Sequence, residues 1–175
     1  MKAVVFTCLK ELVENKFGED KWAQIAQEVG LDPGARFLPV ADVDDATVLK
    51  AIGATCSVLG ITQQQAADAF GEYWVCEYAP KLYGSYYLGV KTAKEFLLRL
   101  DGIHVATTRA IPNAHPPRFT YEEVNDNTLI MRYQSKRGLM PIFMGLVRGV
   151  AKYFGETADV SMVGADRVKI VFRHA

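Results

Sequence analysis

Cysteine is scarce in this 175-residue sequence: Cys8, Cys56 and Cys76 are odd in number, far apart and without any C-x-x-C spacing. That pattern excludes a disulfide framework and a thiolate zinc or redox site, and it suits three reduced core thiols in a cytoplasmic protein. Long apolar runs are lacking as well. No stretch approaches the roughly 20 residues that a membrane-spanning helix needs. The short apolar start from Met1 to Cys8 gives way to Lys10, Glu11 and Glu14, too soon for a signal peptide. An excess of one charge is missing too: 20 basic residues balance 20 acidic ones, with no basic block or arginine-rich helix. A nucleic-acid partner is therefore not expected. There is no internal repeat, low-complexity tract or linker, and the length suffices for one sizeable core but is short for two. A single domain over residues 1–175 is expected.

What is present is a hydrophobic share of 50%, enough for a globular core, and a change of periodicity along the chain. Helical spacing dominates the first two-thirds and strand-like alternation the last third, which predicts an α+β fold. Val4, Val5, Cys8, Leu9 and Leu12 form one helical stripe. Trp22, Ile25, Ala26 and Val29 form another that Gly30 can end. Residues 31–40, with Pro33, Gly34 and Pro39, are a connector. Asp42 or Asp44 can then cap a helix with the stripe Val48, Ile52, Cys56 and Leu59, stopped by Gly60. Thr62 and Gln65 make a capping box for a helix carrying Phe70, Tyr73 and Trp74 that should stop near Pro80. Residues 119–125 and 128–133 flank the turn Asp126-Asn127 and predict a hairpin. Pro141 suits the first turn of a late helix ending at Gly155, and Gly145 and Gly149 within it suggest a close approach to its backbone, by a flat ligand or by ordinary packing. Residues 160–162 and 168–172, joined by a turn at Gly164 to Asp166, predict a closing strand pair.

Two groups of residues carry chemistry. Thr92 and Glu95 form a capping box, after which Phe96, Leu97, Leu100 and Ile103 recur at helical spacing, placing His104 on the same inward face. Such an imidazole is either a hydrogen-bonded core residue or a metal ligand. The second group is Tyr133-Gln134-Ser135-Lys136-Arg137. In a strand over residues 128–137 the side chains of Tyr133, Ser135 and Arg137 share one face. Two hydroxyls and a guanidinium suit a ligand with two adjacent carboxylates, such as the propionates of haem, and the bland alternative is a solvated strand face.

Taken in order, His104, Pro116-Pro117-Arg118, Tyr133, Ser135 and Arg137, then Gly145-Leu146, resemble the signature of the H-NOX family. The likeness runs from the Met1 to Val5 start through Phe70 to Trp74 and on to the last strand. It implies a mainly helical N-terminal part and a C-terminal four-stranded antiparallel sheet with a packed helix, and haem b (iron protoporphyrin IX) bound between them. By resemblance, His104 is the proximal iron ligand, Tyr133, Ser135 and Arg137 hold the propionates, and Pro117 presses on the porphyrin. Val5 stands where the family often has isoleucine on the same contact. Leu9, Trp74, Ile142 and Leu146 match distal positions.

Family members that hold oxygen stably use a tyrosine on the helix after the Tyr-x-Ser-x-Arg string, because bound dioxygen needs a hydrogen-bond donor. The position reached by counting forward from Arg137 is Ile142, which donates nothing. The resemblance therefore implies a nitric oxide sensor, with carbon monoxide as a second diatomic ligand, that signals to a histidine kinase or diguanylate cyclase and catalyses nothing itself. The alternative is oxygen binding with Tyr73 or Trp74 as donor. Two rival classes differ in kind: a haem enzyme would need a distal acid or base, for which His115 in a proline-bracketed loop and His174 at the tail are poorly placed. A haem-independent carrier of an apolar carboxylate would use Arg137 but not His104.

Overall fold

The computed structural model describes residues 1–174; the side chain of His174 lies outside the described residues. The chain forms two compact units, Met1–Ala66 with Ile111–His115, and Ala67–Ala110 with residue 116 onward.

The first unit holds α1 (Ala3–Phe17), α2 (Glu19–Val29), α3 (Asp45–Leu59) and the start of α4 (Gln63–Tyr73). Gly30 and Gly60 end α2 and α3 in the left-handed conformation, which costs glycine nothing. On α1 the buried face is Ala3, Phe6, Cys8, Leu9, Leu12 and Val13, so the expected stripe is rotated and Val4 and Val5 are only half-buried. The aromatic ring decides the rotation: Phe6 packs edge-on against Trp22 and Phe37 with centroids 5.5 Å away, and a buried phenyl outweighs a valine. On α3 the buried residues are Val48, Ala51, Ala54 and Thr55, while Ile52, Cys56 and Leu59 sit at the margin. Thr55 is tolerated there because its hydroxyl donates to the Ala51 carbonyl at 2.8 Å. Asp44 stands at the N-cap of α3 without a side-chain cap bond, and Asp42 pairs with Lys2 at 2.6 Å instead. The Thr62–Gln65 box does form: the Gln65 N–H donates to Thr62 Oγ1 and the Thr62 N–H to Gln65 Oε1.

In the second unit the helical path passes Pro80 instead of stopping there. A π-helical turn, Trp74–Tyr78, follows α4 and leads into α5 (Ala79–Tyr83), where Pro80 lies in the first turn, and then into a 3-10 turn at Gly84–Tyr86. The wider turn relieves the clash that proline makes with the preceding turn of a regular α-helix. Helix α6 (Ala93–Thr108) precedes β1 (Arg118–Asn125) and β2 (Thr128–Gln134). Then come α7 (Met140–Tyr153), β3 (Glu156–Met162) and β4 (Arg167–His174). The four strands form one antiparallel sheet in the order β1-β2-β4-β3. α7 packs on β3, and α6 on β1 and α7. Leu129, Met131, Val168 and Ile170 from the sheet meet Val147 of α7 and Leu97 of α6 in a core from which water is excluded.

The close approach expected at Gly145 and Gly149 is that of another helix. A Cβ at Gly145 would lie 2.1 Å from the Ala67 carbonyl oxygen, one at Gly149 2.4 Å from the Gly71 oxygen, and one at Gly71 2.2 Å from the Gly145 carbon. Backbones of α4 and α7 therefore touch through three glycines, and ordinary close packing explains their cost. Asp68 with Arg148 at 2.9 Å, and Glu72 with Lys152 at 2.6 Å, bridge the same helix pair.

Candidate functional site

Helix α6 is capped as expected at Thr92, whose Oγ1 accepts from the Glu95 N–H at 3.1 Å, although the Glu95 carboxylate reaches back to the Lys91 N–H. Ala93, Phe96 and Leu97 anchor its buried face, and His104 continues that face two turns on. After α6, Pro116 and Pro117 deny the chain further helix and Arg118 opens β1. His104 Nδ1 lies 3.1 Å from the Pro117 carbonyl oxygen. A carbonyl only accepts, so Nδ1 carries the proton and Nε2 keeps its lone pair. Burial pushes the His104 imidazole below its ordinary pKa, against smaller upward pulls from the Pro117 carbonyl and Asp101. The neutral, ligating form therefore prevails at neutral pH.

Around His104 stand residues that sequence reasoning missed. The Phe119 ring lies 5.4 Å from the imidazole, and it also contacts the rings of Tyr133 at 5.9 Å and Phe143 at 5.1 Å. One turn before His104, Asp101 takes Arg118 in a two-pronged ion pair, 2.8 Å on each arm, and accepts the Phe119 N–H at 2.9 Å. The hydrogen bonds of Arg118, helped by the Phe119 N–H, hold the Asp101 carboxyl at about 2 against a smaller opposing effect of burial. An acid three residues before the histidine and an arginine directly after the proline pair were the available signal.

The Tyr133 to Arg137 string differs from its expected form. β2 ends at Gln134, because β1 begins at its partner Arg118 and β4 at Arg167, so nothing beyond remains to pair with. Tyr133 is buried in the sheet, its ring stacked on Phe143 at 5.2 Å. Ser135 and Arg137 instead belong to a turn in which Ser135 Oγ accepts the Arg137 N–H at 3.2 Å, and Gly138 leaves it with a φ of +64°. Strand alternation thus does not extend to Ser135 and Arg137, which a side-chain turn places instead. His104, Pro117 and Tyr133 are brought together around Phe119. Ile142 and Leu146 are half-buried on α7, and Trp74 stacks on Phe70 at 5.9 Å and lies near Tyr78 at 5.5 Å. Tyr73 is buried one residue earlier, at the end of α4. Val5 and Leu9 lie on α1 in the first unit, Leu9 buried and Val5 half-buried.

His104, Tyr133, Ser135 and Arg137, all in the second unit, are of the kinds that fit a haem. The half-buried, neutral imidazole of His104 keeps the Nε2 lone pair for a metal, and the Tyr133 to Arg137 string carries a cation and two hydroxyls that suit a pair of carboxylates. Among the described residues no three His, Cys, Asp or Glu side chains are grouped to hold a bare ion. The model of the haem-NO-binding family matches residues 2–162. The chain belongs to the haem-NO-binding family. Its fold is that of solved H-NOX domains. One is a Cs H-NOX mutant carrying 4-cyano-L-phenylalanine, at TM-score 0.89 and 25% identity over 99% of this chain and 97% of that one. A mutant of the T. Tengcongensis H-NOX matches at TM-score 0.84 and 26% identity over 99% and 98%. An oxygen-binding H-NOX domain related to soluble guanylate cyclases, solved as its oxygen complex, matches at TM-score 0.85 and 25% identity over 99% and 96%. Among curated proteins the H-NOX chain is 26% identical over 174 residues to the soluble guanylate cyclase gcy-32 of Caenorhabditis elegans, covering 97% of this chain and 25% of the cyclase. With gcy-35 of the same organism it shares 27% over 169 residues, covering 88% and 23%. The chain spans about a quarter of the length of the curated relatives it matches. It is a haem-binding, gas-sensing type of domain, related to the haem domains of guanylate cyclases.

Proposed function

We propose that residues 1–175 act as one H-NOX sensor domain that binds haem b through His104 Nε2 and senses nitric oxide. The observation that supports the reading is the bond between His104 Nδ1 and the Pro117 carbonyl at 3.1 Å, which puts the proton on Nδ1 and leaves Nε2 a lone pair that iron can take. Haem supplies a ferrous iron with an open position for a diatomic gas. The chain supplies the imidazole from α6, Pro117 against the macrocycle, and Tyr133, Ser135 and Arg137 for the propionates. Loss of Arg137 should weaken haem binding roughly 10- to 100-fold, the worth of a charge-assisted hydrogen bond. Arg137→Ala measured by haem transfer to apomyoglobin checks this, and an unchanged transfer rate would remove Arg137 from the clamp.

Nitric oxide is favoured because Ile142, Leu146 and Leu9, assigned to the distal side by resemblance, offer no hydrogen-bond donor. Carbon monoxide needs none either, so it is the second expected ligand. The competing reading is oxygen binding assisted by Trp74 or Tyr73. Ile142→Tyr should give the ferrous protein a stable oxygen complex that the parent lacks. If the parent already holds oxygen and Trp74→Phe abolishes it, the nitric oxide reading fails and the competing one stands.

The signalling element in this reading is the segment over residues 92–111, which includes α6. His104 ties that segment to the cofactor, and freeing the imidazole changes what holds α6 in place. The surface so altered would address an effector in the cytoplasm, a histidine kinase or a diguanylate cyclase.

A further inference from the structure

We propose that Asp101 is a positioning residue for the proximal histidine, fixing through Arg118 and the Phe119 N–H the carbonyl that sets the proton on His104. The inference rests on the reading of His104 as haem ligand. Asp101 and His104 lie one turn apart on α6, so both face the same stretch of backbone. That stretch is held at three consecutive residues: the Pro117 carbonyl by His104 Nδ1, the Arg118 guanidinium by both Asp101 oxygens, and the Phe119 N–H by Asp101 Oδ1. Asp101 thus ties down the two residues that directly follow the histidine's acceptor.

The chemical consequence falls on the imidazole. In water a neutral histidine side chain favours the proton on Nε2, the nitrogen that must be bare to bind iron. The Pro117 carbonyl reverses that preference, and its grip depends on distance and angle. Without Asp101 the acceptor loses its restraint, the tautomer ratio relaxes, and the ligand becomes less basic. A second tie joins α6 to β1 without involving residues 117–119: the Asp101 N–H donates to the Tyr121 hydroxyl at 2.9 Å. It provides the control, since a merely structural role for Asp101 would be shared by Tyr121.

The test compares the parent chain with Asp101→Ala, Asp101→Asn and Tyr121→Phe. Two readouts are used: the histidine 15N tautomer pattern of the full chain without haem, and the iron–histidine stretching frequency of the ferrous haem-loaded chain. Asp101→Ala should shift the tautomer ratio toward Nε2–H roughly fivefold, the factor that one hydrogen bond contributes, and lower the stretching frequency. Tyr121→Phe should leave both at parental values. Asp101→Asn, which keeps an oxygen for the Phe119 N–H, should fall between, and it carries the test if the alanine variant does not fold. Parental tautomer and frequency in the Asp101 variants, or an equal shift in Tyr121→Phe, would overturn the proposal. A parent chain that shows no Soret band with haem would overturn the haem reading, while the 15N pattern would still decide the role of Asp101.

Discussion

Replacing Gly145 with alanine should lower stability by at least about 3 kcal/mol, the upper end of overpacking costs, and the melting temperature by roughly 6–12 °C for a chain of this size. The reason is the kind of atom that the new methyl would meet. The Ala67 carbonyl oxygen lies 2.1 Å from the added carbon and the Ala67 carbon 2.5 Å from it. Both are helix backbone, so neither can swing away, and α4 and α7 would have to separate. Separation would also open the contacts at Gly71 and Gly149, which lie in the same seam. The pairs Asp68–Arg148 and Glu72–Lys152 would not prevent this, since exposed ion pairs contribute little. Gly53, exposed within α3 and with nothing within 4 Å of an added methyl, provides the contrast. There alanine should stabilise by about 0.5–1 kcal/mol through helix propensity. Thermal melts of the two variants check both signs at once, and equal melting temperatures would contradict the packing described for α4 and α7.

Replacing His104 with alanine should abolish the ferrous iron–histidine bond altogether. Removal of the side chain leaves the Pro117 carbonyl without its donor and the iron without its only protein ligand in the proposed site. The expected spectrum is that of haem held by its propionates alone, with the iron–histidine stretching band missing. Added imidazole should restore the band, because the space vacated by the side chain matches the small molecule. If the band persists in His104→Ala without added imidazole, another residue ligates the iron and the assignment of α6 as the sensing element falls with it.

Local chemistry was legible in the sequence, and long-range packing was not. The capping box at Thr62, the Thr92 cap, the glycine stops at Gly30 and Gly60, the Asp126-Asn127 turn and the helix entry at Pro141 depend on residues within a few positions of one another and appear as expected, except that the Glu95 carboxylate takes the Lys91 N–H in place of the Thr92 one. The order of helices before sheet was readable for the same reason. Burial on α1 and α3 was not, because the face that turns inward depends on which partner it meets: Phe6 meets Trp22 and Phe37, an encounter no periodicity encodes. Pro80 was expected to end a helix, since a π-helical turn that accommodates it has no sequence signal of its own.

Within the candidate site, the inward direction of His104 followed from helical spacing, whereas its partner did not. The Pro117 carbonyl is a backbone atom 13 residues away, and backbone atoms carry no residue code. Ser135 and Arg137 were placed with Tyr133 by alternation in a strand that in fact stops at Gln134. A strand lasts only while neighbours remain to pair with it, and the starts of β1 and β4 fix that limit from elsewhere in the chain.

The most direct test of the central claim is the visible spectrum of the ferrous, haem-loaded protein, recorded first in air and then under nitric oxide without oxygen. The account predicts a Soret band that moves on adding nitric oxide and shows no stable oxygen complex in air. A stable oxygen complex in the unmodified protein, or a chain that takes up no haem, would contradict it.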